Sequence, residues 1–209
     1  LIPVLNIIHL SSLGFHSVKQ NDLFLESLRR EQNFKSQAYE HKITYGIWEG
    51  IIDDELPWRG ISKSHKQIIQ DAKDNKLPYV TIAEDDFKLK PNGWKIFTNS
   101  IPDEFDIFYA GISGGTVNEE TKEITGASGM FLYCVHHRFY DAFLLANETV
   151  NIDRWLSGLG LEEIEKILGR KPVYKICYPM ACITRDGVSY KSGQYVQHDK
   201  FFKAYKVLE

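Results

Sequence analysis

Three consecutive carboxylates, Glu84-Asp85-Asp86, follow directly on the apolar run Tyr79-Val80-Thr81-Ile82-Ala83. Carboxylates this close repel one another unless water or a cation lies between them. A divalent cation suits the arrangement. Mg²⁺ and Mn²⁺ prefer hard oxygen ligands and commonly take one or two protein carboxylates together with substrate phosphates. An ion held there would neutralise charge on a departing nucleoside diphosphate, which makes the triplet a candidate site for a sugar diphosphate donor. The ordinary alternative is a solvated acidic turn after a strand.

Transfer to an acceptor hydroxyl would also need a general base. Asp153 is the first candidate and Asp186 the second. Each has an ordinary reading as well: Asp153 as an acid in the first turn of a helix, Asp186 as a turn residue before Gly187. His65 falls on the apolar face of a helical stretch, where a histidine is more often a satisfied core residue than a ligand. Gly111, Gly114 and Gly115 would let backbone approach a bound molecule, although no helix start and lysine follow in the order a phosphate loop requires. Trp58, Trp94 and Trp155 are candidates for stacking on a sugar, and tryptophan more often serves in packing.

The elements that must position these residues are legible from periodicity. Val4 to His9 reads as a buried first strand. Asn21 suits the N-cap of a helix turning Leu23, Phe24 and Leu28 to the core. Lys42 to Ile47 fits a second strand, and Asp53 to Pro57 a loop. Ile61, His65, Ile68, Ile69 and Ala72 recur at helical spacing, and the helix should stop near Asn75, because Leu77-Pro78 disfavours further helical geometry. Tyr79 to Ala83 then reads as a short, centrally buried strand. Phe105 to Ala110 is another strand, Gly111 to Gly126 a loop or hairpin, and Met130 to Val135 a further strand. Helices follow over 137–146 and 153–168, with a late strand over 172–179. Strands and helices alternate through the first two-thirds, which favours a mostly parallel α/β sheet with ligands at the carboxyl ends of its strands.

Composition narrows the class. A chain of 209 residues with 43% hydrophobic residues suits a single domain over 1–209 with a sizeable core. The glycine- and serine-bearing stretch over 185–209 reads as a mobile C-terminal segment. A net charge of -3 gives no push toward nucleic acid. Cys134, Cys177 and Cys182 lack zinc or redox spacing and read as small core residues, a usage that suits a reducing, cytoplasmic compartment. No apolar run approaches the roughly 20 residues a membrane span needs. The stretch from Lys200 to Lys206 reads as an amphipathic end helix packed on the domain, or as a weak peripheral contact with the inner, anionic face of a membrane.

Several ordered segments resemble the family 25 glycosyltransferases, the group including bacterial lipooligosaccharide and collagen galactosyltransferases. Val4-Leu5-Asn6-Ile7-Ile8-His9-Leu10 resembles the family's opening strand, Gly60-Ile61-Ser62-Lys63-Ser64-His65 its "GC-x-x-SH" segment, and Leu77 to Asp86 its strand ending in "EDD". Gly126-Ala127-Ser128-Gly129-Met130-Phe131-Leu132-Tyr133 is similar to the later "GT-x-x-Y-x-I" strand, and Ile152-Asp153 to a "(v/i)D" element. Ile61 stands where the family has cysteine, the arginine-rich segment common after the first strand is missing, and the last third is only loosely similar. The resemblance implies a GT-A-like fold with a Rossmann-type, mostly parallel central sheet flanked by helices, and Mn²⁺ or Mg²⁺. By analogy it implies a UDP-sugar donor with galactose as the default, a glycan or glycoconjugate acceptor, and an inverting transfer. It further implies Asp86 as the metal ligand, with His198 completing the shell. Glu84 would face the donor's ribose or help ligate, Asp85 would turn to either side, and Ser64 and His65 would belong to the donor pocket. For His198 a solvent-exposed position is the ordinary alternative. Two other classes stay open: a sugar-nucleotide-binding module without turnover, and a metal-dependent phosphohydrolase, although no second acidic or histidine cluster for a two-metal site is visible.

Overall fold

The apolar runs of the sequence become a six-stranded sheet with helices on both faces. A computed structural model describes residues 4–10, 21–188 and 194–197. The first half alternates in type: β1 (Leu5–His9), α1 (Asn21–Glu40), β2 (Tyr45–Glu49), α2 (Pro57–Asp74), β3 (Tyr79–Glu84), β4 (Phe87–Leu89), α3 (Gly93–Asn99) and β5 (Ile107–Tyr109). The hairpin β6 (Gly114–Val117) and β7 (Ile124–Ser128) follows, then β8 (Leu132–His136), α4 (Tyr140–Leu144), α5 (Ile152–Arg154), α6 (Leu161–Leu168), β9 (Tyr174–Ile176) and β10 (Cys182–Thr184). Two short strands, β11 (Gly187–Val188) and β12 (Tyr195–Val196), pair antiparallel near the end.

The sheet runs β2-β1-β3-β8-β5-β9. β1 pairs in parallel with β2 and β3, and β5 with β9, while β8 lies antiparallel between β3 and β5. The expected mostly parallel sheet is therefore present, with one reversed strand. β3 is hydrogen-bonded on both edges and buries Val80, Thr81, Ile82 and Ala83. Its period-two alternation splits the core. Val80 and Ile82 join Ile68, Ile69, Val135 and Phe143 on one face; Ala83 joins Phe34, Phe87, Phe97 and Phe108 on the other. Burial of these side chains from both faces is the main favourable term holding the sheet.

α2 follows its sequence closely. Pro57 sits in the first turn, where its missing N–H costs nothing, and the helix ends when Leu77 N–H bonds back to Ala72 O with Lys76 in the left-handed region. The expected residues Ile68, Ile69, His65 and Ala72 are buried. α1 departs from expectation. Phe24 and Leu25 are exposed and Leu23 and Leu28 only half-buried; the buried face carries Glu26, Ser27, Arg30, Phe34 and Ala38 instead. A polar face is buried there because it meets the charged end of β3. Gln37 on the same helix brackets β4, donating to Phe87 O at 2.9 Å and accepting from Leu89 N at 2.6 Å.

The elements β4, α3, β10, β11 and β12 escape the periodicity reading. β4 pairs antiparallel with β10, and three-residue strands are too short to display a period. The expected continuous helix over 153–168 is broken. A π-turn over Trp155–Leu159 separates α5 from α6, and Gly160 packs so closely on the Trp155 ring that an added Cβ would stand 2.3 Å from it. The three cysteines are buried and unpaired, as expected of core residues. Much of the segment over 185–209, including His198 and the stretch from Lys200 to Lys206, lies outside the described residues. Among the described residues no helix is long and apolar enough to cross a membrane.

Candidate functional site

The carboxyl end of β3 opens into a cleft of about 280 Å³. Glu84 and Asp86 line it from the strand end, Arg30 from α1, and Trp58 and Ile61 from α2. Met130 and Phe131 come from the approach to β8, Asn151, Ile152 and Asp153 from the start of α5, and Thr184, Arg185 and Gly187 from the turn after β10. Three of the expected carboxylates, Glu84, Asp86 and Asp153, therefore share one cleft.

The acidic triplet divides by direction. Asp85 is buried; its Oδ2 accepts from His9 Nδ1 and its Oδ1 from Arg30 Nη1, each at 2.7 Å. Burial alone would push its carboxyl up, but the Arg30 charge and the His9 hydrogen bond outweigh that and hold it below the usual carboxylate range. Asp85 thus braces the strand end from behind and does not line the cleft. Asp86 does, with Arg30 Nη1 at 3.4 Å from its Oδ2 and, among the described residues, no hydrogen-bond partner on its buried Oδ1. Burial pushes the Asp86 carboxyl up to about 7; Arg30 opposes this, the charges of Glu84 and Asp85 add to it, and a hydrogen bond from Thr184 opposes it.

Glu84 is held by His65. His65 is completely buried, its Nε2–H donates to Glu84 Oε1 at 3.2 Å, and its Nδ1 accepts from the Tyr133 hydroxyl at 2.5 Å. One tautomer serves both contacts. Ser64 acts elsewhere. Its hydroxyl donates to Gly60 O at 2.9 Å and accepts from Ile51 N at 2.8 Å, pinning the loop after β2 to α2. Gly60 permits that approach, since an added Cβ would stand 2.2 Å from Ile51 O. Ser64, His65 and Asp85 line a smaller recess of about 70 Å³ that shares Arg30, Ile61 and Glu84 with the cleft.

Across the cleft, Asp153 accepts from Gly129 N at 3.0 Å and from Arg154 N at 2.7 Å, which fixes the direction of its carboxylate. Gly129 has φ near 83°, a conformation that favours glycine, and a Cβ there would press on Ser113 Oγ at 2.5 Å. Asp186 is not among the residues lining the cleft, though its neighbours Arg185 and Gly187 are; its carbonyl accepts from Arg29 Nη2 at 2.9 Å. Of the tryptophans, Trp94 and Trp155 are core residues and Trp58 lines the cleft. Of the glycines, Gly114 opens the β6–β7 hairpin, while Gly111 is packed with a Cβ position 1.9 Å from Cys182 O.

Arg30, Asn151, Thr184 and Arg185 do not stand out in the sequence. A signal exists only for Arg30: Glu26, Arg30, Phe34 and Ala38 recur every four residues and form one buried helix face. Arg30 and Arg185 place two guanidinium groups beside the carboxylates, so the cleft can meet both a cation and a diphosphate. Among the described residues, no three His, Cys, Asp or Glu side chains converge as a ready-made metal cage. The donor set fits an ion held by one or two carboxylates with phosphate oxygens supplying the rest: Asp86 Oδ1 is partnerless and Glu84 lines the same cleft.

No protein-family model and no curated protein matches the chain. Solved structures do. A197 from STIV superposes with a TM-score of 0.50 at 7% identity, covering 94% of this chain and 94% of that one. A glycosyltransferase involved in the glycosylation of the major capsid of PBCV-1 gives 0.47 at 12% identity, covering 83% and 81%. The inositol-1-phosphate CTP transferase from T. maritima gives 0.45 at 10% identity, covering 84% and 85%. Likeness at such identities is one of fold alone: a mixed α/β chain with a mostly parallel six-stranded sheet between helices.

Proposed function

We propose that this chain is a metal-dependent glycosyltransferase of the GT-A kind. It would move a sugar from a nucleoside diphosphate donor to a hydroxyl of a glycan or glycoconjugate. The observation carrying this reading is the joint placement of Glu84 and Asp86 at the end of β3 in a cleft that also holds Asp153 and two arginines. Asp86 Oδ1 and Glu84 would hold Mn²⁺ or Mg²⁺, and the ion when bound supplies charge neutralisation at the diphosphate. Arg30 and Arg185 suit the remaining phosphate charge. His65 orients Glu84, and Asp153, with its carboxylate fixed by two backbone amides, is the favoured base for the acceptor hydroxyl. The ordered segments similar to family 25 support UDP-galactose as the first donor to try and an inverting outcome. Asp186, outside the cleft lining, is the weaker choice of base.

The test is transfer or slow hydrolysis across a panel of UDP-sugars with Mn²⁺. Wild type should turn over at least one donor, Asp86→Ala should lose about a hundredfold or more, and Asp153→Asn should lose transfer while keeping UDP affinity. Equal turnover by wild type and Asp86→Ala would remove the assigned metal role. Phosphate release from simple esters without sugar transfer would favour the phosphohydrolase class instead.

A further inference from the structure

Asn151 occupies the N-cap position of α5 but does not cap it. Its carbonyl accepts the Trp155 amide at 3.0 Å, yet its side chain makes no capping hydrogen bond. Asparagine is among the best capping residues. Here the Asn151 Oδ1 is instead buried without any hydrogen-bond partner among the described residues. Among the described residues, Asp86 and Asn151 are the two cleft-lining residues with such an orphaned atom. A buried polar atom left unpaired costs stability, and a native structure that retains one calls for a reason.

The surroundings supply one. Trp58 lines the same cleft, and its Nε1 donates to Thr149 O at 2.9 Å, two residues before Asn151. That bond holds the indole against the segment carrying the amide. An aromatic face beside a hydrogen-bonding amide matches a pyranose ring, which presents an apolar C–H face and hydroxyl groups at its edge. Rotation about χ2 of Asn151, a soft torsion, would bring the amide to the ligand.

We infer that Trp58 and Asn151 form a hexose subsite in which the sugar ring stacks on the indole and one hydroxyl donates to Asn151 Oδ1. The inference rests on the proposed glycosyltransferase reading for its ligand class. The hexose is either the one on the donor or the one that accepts, and the chemistry is the same for both.

Binding, not turnover, tests it. Wild type, Asn151→Leu and Asn151→Asp are titrated with UDP, with UDP-hexoses and with methyl hexosides, in Mn²⁺, by calorimetry and saturation-transfer NMR. UDP should bind all three alike. The hexose-bearing probe that uses this wall should bind Asn151→Leu about tenfold more weakly, Asn151→Asp should recover most of the loss by keeping an acceptor oxygen, and Trp58→Ala should lose the same probe. A loss confined to UDP-hexoses assigns the wall to the donor sugar; a loss confined to methyl hexosides assigns it to the acceptor. Because the amide caps nothing, Asn151→Leu should melt no lower than wild type. Equal binding of every probe to wild type and Asn151→Leu overturns the inference, as does an equal loss of UDP and UDP-hexose or a lowered melting temperature. If wild type binds methyl hexosides but no UDP-hexose, and Asn151→Leu loses the former, the nucleotide-sugar reading falls and the subsite stands. Failure of every probe to bind wild type removes both.

Discussion

Arg30 Nη1 stands 2.7 Å from Asp85 Oδ1, with both side chains nearly closed to solvent. This buried pair joins the first helix to the end of the central strand. The same guanidinium accounts for Glu26 as well, through Nε at 3.0 Å from Glu26 Oε1. Arg30→Met should therefore leave the buried Asp85 carboxylate without its guanidinium, while Glu26 keeps Arg29, and should destabilise the fold by roughly 3–5 kcal/mol. Urea denaturation measures it. The double variant Arg30→Met/Asp85→Leu should recover part of the loss, because the stranded charge is gone; a single-variant cost under about 1 kcal/mol would contradict the pairing.

Asp86 is the opposite case, a carboxylate whose ionised form the metal-free fold disfavours. Its pKa of about 7 lies above the ordinary value. An acid with a raised folded pKa contributes stability when protonated and loses it as pH rises through that value. Asp86→Asn should accordingly raise the melting temperature of the metal-free protein at pH 8 by about 4 °C, the shift that roughly 1–2 kcal/mol produces in a chain of this length. The gain should shrink as pH falls below about 7 and vanish only below the unfolded value of about 3.9. Mn²⁺ should raise the melting temperature of wild type and leave Asp86→Asn nearly unchanged.

Gly60 and Ser64 form a joint between α2 and the loop after β2. Gly60→Ala places a methyl against Ile51 O and should cost about 1–3 kcal/mol. Ser64→Ala removes the partner of the half-buried Ile51 amide and should cost about 1 kcal/mol. Thermal melts of both variants check this, and a neutral Gly60→Ala would mean that the loop yields freely.

Asp106 carries the acid sensitivity of the fold away from the cleft. It is wholly buried and accepts from Arg138 Nε at 2.9 Å, from Arg170 Nη1 and Nη2 at 2.7 Å, and from Val173 N at 2.7 Å. Burial opposes ionisation, but Arg170, the Val173 amide and Arg138 outweigh it and hold the carboxyl below its ordinary range. A depressed folded pKa gives stability that is present above the unfolded value of about 3.9 and is lost as pH falls through the folded one. Since both arginines are about one-third exposed, the contribution is discounted to about 2 kcal/mol. Asp106→Asn should lose that amount at pH 7 and show a shallower fall below about pH 4, read from urea midpoints across pH.

The amino-acid order alone determined the strand of 79–84 with acids at its end and the buried face of 61–72, because period-two and period-3.6 patterns are local and repeat within one element. It also placed Glu84, Asp86 and Asp153 as the residues to watch. It did not show that Asp85 turns inward to His9 and Arg30, since that choice is made by partners 76 and 55 residues away. Nor did it mark Ser64 as a loop clasp, the break at Trp155 to Leu159, or Asn151 as a cap without a capping bond. Those features arise where separate elements meet, and no window of sequence contains both sides of such a contact. Local periodicity thus set which segments form the sheet and where their acids end. Only the tertiary structure decided which carboxylates face the cleft and which arginines and amides stand opposite them, because burial and pairing belong to neighbours in space.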